Sequence, residues 1–162
     1  MITAGVDLGA RKAAISLHDG KITWVGHLEV PKTTRARELR TLAAWSEKIL
    51  RVADFVFVEE PLVGRGVRAS LQIAHTAGAV LSCLKDDIYS DFVAVKSWKK
   101  DTVGNGNASK EQVAMWLKSS HPSYHQQCAG NQDRVDAVCI GLHGVRIGDR
   151  SRELANPGRL HL

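Results

Sequence analysis

Residues 2–7 form a short apolar run, residues 13–17 and 22–30 alternate apolar and polar side chains with a period of two, and after Pro31 the period changes to that of a helix. A period of two places successive side chains on opposite faces of a strand. Asp19-Gly20 lies between two of the alternating segments and is a typical hairpin turn. The pattern predicts a three-strand antiparallel meander over residues 2–7, 13–17 and 22–30.

The rest of the chain alternates predicted helices with short apolar strands. Helical spacing or capping signals predict helices, and β-branched and aromatic runs predict strands. The predicted order is helix 34–52, strand 54–60, helix 68–84, strand 91–95, a polar loop 96–109, helix 110–120, a polar stretch to 132 and helix 133–145. This order fits an α/β chain of the RNase H-like fold, with a mixed five-stranded sheet flanked by helices.

Composition favours one domain that binds a polyanion. The 162 residues carry 22 Lys and Arg against 17 Asp and Glu, a formal net charge of +5. Residues 1–146 are predicted to form the domain, and the apolar-poor segment 147–162 a mobile tail. Three scattered cysteines without a CxxC pair indicate reduced thiols, and no stretch reaches the length of a membrane span. We expect a cytoplasmic protein that does not contact a membrane.

Four carboxylates lie at positions where a metal site could form: Asp7, Glu59, Asp133 and Asp136. Asp7 and Glu59 end predicted strands, and Asp133 and Asp136 share one face of the last helix. Carboxylate oxygens are the ligands that Mg²⁺ prefers. Asp133 alone could instead be a favourable helix N-terminal charge, and Glu60 competes with Glu59 because a strand points them to opposite faces.

Four motifs in the right order give the chain its resemblance to a known family. "GVDLGAR", "VFVEEP", "VGNGNASKEQV" and "QDRVDAV" resemble the first strand, the Glu-ending strand, the lysine motif and the final D-x-x-D-A helix of the RuvC family of Holliday junction resolvases. Together they span residues 1 to about 146. The resemblance implies the RNase H-like fold and a metal-dependent endonuclease that cleaves four-way junctions to 5′-phosphate and 3′-hydroxyl ends.

The resemblance also implies roles for particular residues. The four carboxylates would hold two Mg²⁺ ions, with Mn²⁺ able to substitute, and Lys110 would lie near the scissile phosphate. Lys99 matches a second basic position of the family. Bacterial members commonly carry an aromatic residue where this chain has Leu62, which could insert between bases but cannot stack as a ring does. A shortened, divergent chain of this kind resembles phage-encoded members of the family, some of which have relaxed substrate choice.

Further residues are candidates for contacts with DNA and with a second subunit. Four cations are predicted to hold the DNA backbone: Lys99, Lys100, Arg65 and Arg68. Two symmetric cuts call for a two-fold dimer, and the small-residue helix 68–84 matches the helix around which the family dimerises. His75 on this helix is interpreted as a polar side chain with satisfied hydrogen bonds rather than a ligand, and His143 as a less favoured candidate for the metal side.

Three other functions remain open at this point. A flap or branch endonuclease could use the same site on a broader range of DNA. A catalytically silent junction-binding module would not need four retained carboxylates. An actin-like ATPase shares the first D-x-G, but it needs a second such domain, for which 162 residues leave no room.

Overall fold

The computed structural model describes residues 1–61 and 66–155, except for the side chains of residues 22–23 and 149–155. The strands are β1 (Thr3–Leu8), β2 (Lys12–His18), β3 (Ile22–Glu29), β4 (Phe55–Glu59) and β5 (Tyr89–Val93). The helices are α1 (Arg35–Leu50), α2 (Val67–Leu81), α3 (Val95–Val103), α4 (Lys110–Ser120), α5 (Pro122–Cys128) and α6 (Gln132–Ala155). Within the described ranges, every helix is too short or too polar to cross a membrane.

The five strands form one mixed sheet in the order β3-β2-β1-β4-β5. The β1–β2 and β2–β3 pairs are antiparallel, as the predicted meander requires. The β1–β4 and β4–β5 pairs are parallel, with Val6 beside Val58. The predicted fold class is therefore confirmed, and Asp7 and Glu59 leave neighbouring strands at the same edge of the sheet.

Helices cover both faces of the sheet, and the alternation along β4 shows which side chains face which layer. Val56 and Val58 pack in the apolar cluster shared with α1 and α2. Phe57 belongs to the opposite cluster, which contains residues of α3, α4, α5 and α6. Because Glu59 follows Phe57 by two residues, its side chain emerges on the α6 side.

Helix α6 lies unusually close to β1, and glycine makes this approach possible. A Cβ atom at Gly5 would overlap the carbonyl oxygen of Ala137 and the backbone nitrogen of Gly141. The buried Ser16 hydroxyl on β2 donates a hydrogen bond of 2.8 Å to the same Ala137 oxygen. These contacts fix the first turns of α6, and with them Asp133 and Asp136, against the sheet edge.

The structure corrects several predicted boundaries. The segment 96–109 was expected to be a loop, but Val95–Val103 is a helix, and α5 lies in the expected polar stretch before 132. Strand β5 begins and ends two residues earlier than predicted. Helix α6 continues to Ala155, nine residues into the segment predicted as a tail. Residues 156–162 lie outside the described part of the chain, and the mobility of the tail stays a prediction.

Candidate active site

A cleft of about 320 Å³ opens at the edge where β1 and β4 end. It is lined by residues from both strands, from the turn after β1, and from α2, α3, α4 and α6. Its charged lining contains all four predicted carboxylates, the neighbouring Glu60 and three lysines: Asp7, Glu59, Asp133, Asp136, Glu60, Lys12, Lys99 and Lys110. The sheet topology thus brings together acids that are more than one hundred residues apart in sequence.

The surroundings of Asp7 oppose the ionised form of its carboxyl group. Burial raises the pKa of Asp7 well above its ordinary value, and the charges of Glu59, Asp136 and Asp133 raise it further. The charge of Lys12 acts in the opposite direction. An aspartate whose surroundings oppose its ionised form is a site at which an added cation would be stabilised.

Glu59, rather than Glu60, is the glutamate that contacts the interior of the site. The buried indole of Trp98 donates a hydrogen bond of 3.0 Å from Nε1 to Oε2 of Glu59. Burial raises the pKa of Glu59, although the Trp98 hydrogen bond opposes the shift. Glu60 is exposed at the rim, where its backbone N–H donates to the carbonyl of Val93.

Asp136 is held by its own helix. Its side chain is only 8% exposed, and Gln132, one turn earlier, donates a hydrogen bond of 2.8 Å from Nε2 to Oδ1. Burial raises the pKa of Asp136, and the charges of Lys110 and Lys99 oppose this shift. The two lysines therefore act electrostatically on the acids, as cations that face the same cleft do.

Asp133 differs from the other three acids because a lysine ammonium engages both of its carboxylate oxygens. The ammonium of Lys12 lies 2.6 Å from both Oδ1 and Oδ2 of Asp133. Nε2 of His27 lies 3.2 Å from Oδ2, at ion-pair distance but without an aligned hydrogen bond. Burial alone would lower the pKa of Lys12, but the hydrogen bond and charge of Asp133 outweigh it and raise that pKa.

Lys110 and Lys99, the two predicted lysines that line the cleft, are positioned by different contacts. Lys110 is exposed in the first turn of α4, directly after the N-cap Ser109, which forms a capping box with Gln112. Lys99 lies 5.6 Å from the centre of the Trp98 ring, and its Nζ donates a hydrogen bond of 2.6 Å to the carbonyl of Ala108. The capping-box prediction is confirmed, and it places Lys110 at the mouth of the cleft.

Among the described residues, two further predicted DNA contacts, Lys100 and Arg68, are not part of the cleft lining. Lys100 and Arg68 are exposed on α3 and at the start of α2. Leu62 and Arg65 lie outside the described residues. His143 lies beside Asp101 of α3, with 3.0 Å between Nδ1 and Oδ2, and is not part of the cleft lining. His75 is an exposed residue of α2 and is not part of the cleft lining.

Four contributors to the site were not predicted: Lys12, His27, Trp98 and Gln132. Trp98 gave a usable signal, since a tryptophan between lysines in a polar segment must pack somewhere. Gln132 precedes Asp136 by four residues, which is helical hydrogen-bonding distance. Lys12 and His27 gave no such signal, because their contacts depend on how α6 lies across β2 and β3.

The donor set fits divalent metal ions of the Mg²⁺ type. Four carboxylates, whose oxygens are hard donors, face three lysines, and three of the four have pKa values raised by burial. In the described part of the chain, no three acidic, histidine or cysteine side chains stand close enough together to enclose one ion. Asp133 is paired with Lys12, so this carboxylate would have to leave Lys12 before it could bind a metal ion together with the other acids.

Comparison with known proteins identifies the family. The sequence profile of the crossover junction endodeoxyribonuclease RuvC matches residues 4–142. The chain belongs to the RuvC family. The resemblance on the four motifs is thereby confirmed, and so is the prediction of an endonuclease. Whether it is a phage-type RuvC stays a prediction.

Individual RuvC proteins match over most of the chain. The RuvC of Salinibacter ruber is 35% identical over 157 residues, which cover 90% of this chain and 86% of the relative. The structure of T. thermophilus RuvC in complex with a Holliday junction substrate matches with a TM-score of 0.74 at 21% identity, covering 91% and 96% of the two chains. The fowlpox virus resolvase in complex with a Holliday junction matches with a TM-score of 0.55 at 15% identity, covering 91% and 98%. These structures confirm the shared fold.

Proposed function

We propose that this chain cleaves four-way DNA junctions by hydrolysing phosphodiester bonds in the cleft, leaving 5′-phosphate and 3′-hydroxyl ends. The observation that carries the proposal is the convergence of the four family carboxylates on one cleft, with lysines at its mouth. Relatives with the same fold are described in complex with Holliday junctions. A net charge of +5 suits a polyanionic substrate.

Two Mg²⁺ ions are the proposed cofactors, and Mn²⁺ is expected to substitute for them. Asp7, Glu59, Asp133 and Asp136 would hold them, since these are the hard oxygen ligands of the cleft. When bound there, such ions supply the chemistry that activates water and offsets charge on the leaving 3′ oxygen.

The chain's own residues orient the acids and supply positive charge. Trp98 engages Oε2 of Glu59, and Gln132 engages Oδ1 of Asp136, so each donor fixes its carboxylate through one oxygen. Lys110, exposed at the mouth, would approach the scissile phosphate and offset charge that develops in the transition state. The hydrogen bonds from Trp98 and Gln132 therefore hold Glu59 and Asp136 in place before the substrate arrives.

Cations in the cleft wall and beside it are proposed to hold the DNA arms. Lys99 lies at the cleft wall, while Lys100 and Arg68 are exposed on the helices beside it. Contacts of this type position a duplex without reading its sequence. Arg65 is proposed for the same role, and Leu62 for an apolar contact at the junction centre.

A homodimer is proposed because two symmetric cuts require two sites. Helix α2 exposes an apolar stripe at helical spacing, formed by Val67, Leu71, Ala74 and Gly78. Val67 is 82% exposed and Leu71 is 52% exposed. Leu71→Glu should convert a dimer to a monomer in sedimentation velocity. An unchanged sedimentation coefficient would place the contact elsewhere or dismiss the dimer.

The compartment is proposed to be the cytoplasm. All three cysteines are unpaired thiols in the structure, and Cys128 and Cys139 are buried. Unpaired cysteines are typical of reducing compartments.

The proposed activity is tested with labelled four-way junction, 5′-flap and linear duplex DNA, with Mg²⁺ or with EDTA. Paired symmetric nicks in the junction, present only with metal and absent in Asp7→Asn, would support it. Equal or faster cutting of flaps would establish the broader branch endonuclease instead. Junction binding without cleavage in any metal would leave a binding module.

A further inference from the structure

Lys12 brings a positive charge directly onto one of the four carboxylates. It is the first residue of β2, and its ammonium lies 2.6 Å from each oxygen of Asp133 in α6. The two residues are 121 positions apart, so the contact exists only because α6 packs across the sheet. Both oxygens of a proposed metal ligand are thus engaged by a side chain of the same molecule.

Lys12 differs in this respect from a neighbouring lysine of the same cleft. Lys99 directs its ammonium to the carbonyl oxygen of Ala108, which is not a metal ligand. Removing either lysine takes one positive charge from the cleft, but only the loss of Lys12 releases a carboxylate. Lys99 therefore serves as the charge-matched control for Lys12.

The Lys12–Asp133 pair is placed so that it can open. The Lys12 side chain is 42% exposed, so its ammonium can move into solvent and be hydrated there. The Asp133 side chain is only 15% exposed. An ion pair with one partner half in solvent contributes little free energy, and its loss changes a binding constant by about fivefold or less. A divalent cation interacts with a carboxylate more strongly than one ammonium does.

We propose that Lys12 is a positioning residue that acts through Asp133: its ammonium is an internal counter-ion that a divalent cation must displace. In the metal-free protein Lys12 holds Asp133 within the cleft, and in doing so it weakens metal binding. This inference rests on the proposed function, since it assumes that Asp133 is a metal ligand.

The test measures Mn²⁺ binding to the full chain by isothermal titration calorimetry, without DNA. Lys12→Met should tighten the apparent Kd by about fivefold. Lys12→Arg, which keeps a cation that can pair with a carboxylate, should stay near the wild-type value. Lys99→Met, the charge-matched control, should tighten binding by less than about twofold. Thermal unfolding in EDTA checks that each variant is folded, and Lys12→Gln replaces Lys12→Met if that variant is not.

A double-mutant cycle separates a contact with Asp133 from general electrostatics. In an Asp133→Asn background, Lys12→Met should no longer tighten Mn²⁺ binding. The inference is overturned if Lys12→Met binds no tighter than Lys99→Met, or if its gain persists in the Asp133→Asn background. A wild-type chain that binds no Mn²⁺ would instead overturn the proposed metal site itself, and this inference with it.

Discussion

The cleft has two groups of charged residues that are built in opposite ways. The inner group, Asp7, Glu59 and Asp136, consists of acids whose pKa burial raises; two of them are fixed by uncharged donors. The outer group, Lys12, Asp133 and Lys110, carries mixed charges on side chains that include a half-exposed and an exposed lysine. The difference indicates that the inner group sets geometry, whereas the outer group can rearrange when ions or DNA bind.

The inner group should show the largest effect on activity. Glu59→Gln removes a proposed metal ligand and should lower the single-turnover cleavage rate by about 10³-fold, which is ~4 kcal/mol of transition-state stabilisation. The matched control is Glu60→Gln, which removes the neighbouring charge at the rim and should change the rate by less than about threefold. Equal losses in both variants would show that Glu59 has no special role.

Lys110 of the outer group and Lys100, which lies beyond the cleft, should affect different constants. Lys110→Met should lower the cleavage rate by about 10²-fold at saturating DNA, because a cation near the reacting phosphate is lost. Lys100→Met should leave that rate unchanged, weaken junction binding and reduce its salt dependence by about one unit of slope. Cleavage rates and Kd values at several salt concentrations would check both predictions. An effect of Lys110→Met on Kd alone would show that Lys110 holds the DNA backbone and does not act on the reacting phosphate.

The donors of the inner group should matter for orientation more than for charge. Trp98→Phe removes the hydrogen bond to Glu59 and should lower the cleavage rate by about tenfold and the free energy of unfolding by about 2 kcal/mol. Trp116→Phe is the control, since Trp116 packs beside His121 away from the cleft. Urea unfolding and single-turnover kinetics would measure both effects; a stable Trp98→Phe with full activity would contradict the orienting role.

The smallest predicted effect is on stability and depends on pH. Burial and the other carboxylates raise the folded-state pKa of Asp7 above its unfolded value, so its ionised form opposes folding. In EDTA, Asp7→Asn should therefore have a higher Tm than wild type at pH 8. This advantage should shrink as pH falls through the raised pKa toward the unfolded value of about 3.9. A difference in Tm that does not vary with pH would contradict this electrostatic origin.

The strands and their acids were predictable because their signals are local. A short apolar run located β1, alternation located β2 and β3, and an apolar strand ending in Glu located β4. Helices α3 and α5 were missed because few of their residues are buried: Trp98 and Thr102 in α3, and Cys128 in α5. Two buried residues in nine give no recognisable helical period.

The four acids, Glu59 among them, were predicted by motif, but the face of the sheet on which Glu59 emerges and the partner of Asp133 required the structure. Strand alternation shows that two neighbouring glutamates face opposite ways, but the sequence alone does not say which face receives α6. The Lys12–Asp133 contact joins the second strand to the last helix, and no local pattern in either segment encodes it.

The close approach of α6 to β1 has a consequence for how active members of this family are recognised. Gly5 carries no charge, yet a single methyl group at this position would push away the helix that bears half of the acids. A related chain could keep all four carboxylates and still lose the separation between sheet and helix on which their cooperation depends. Counting acids is therefore an incomplete criterion for activity, and the residue two positions before the first aspartate should be inspected with them.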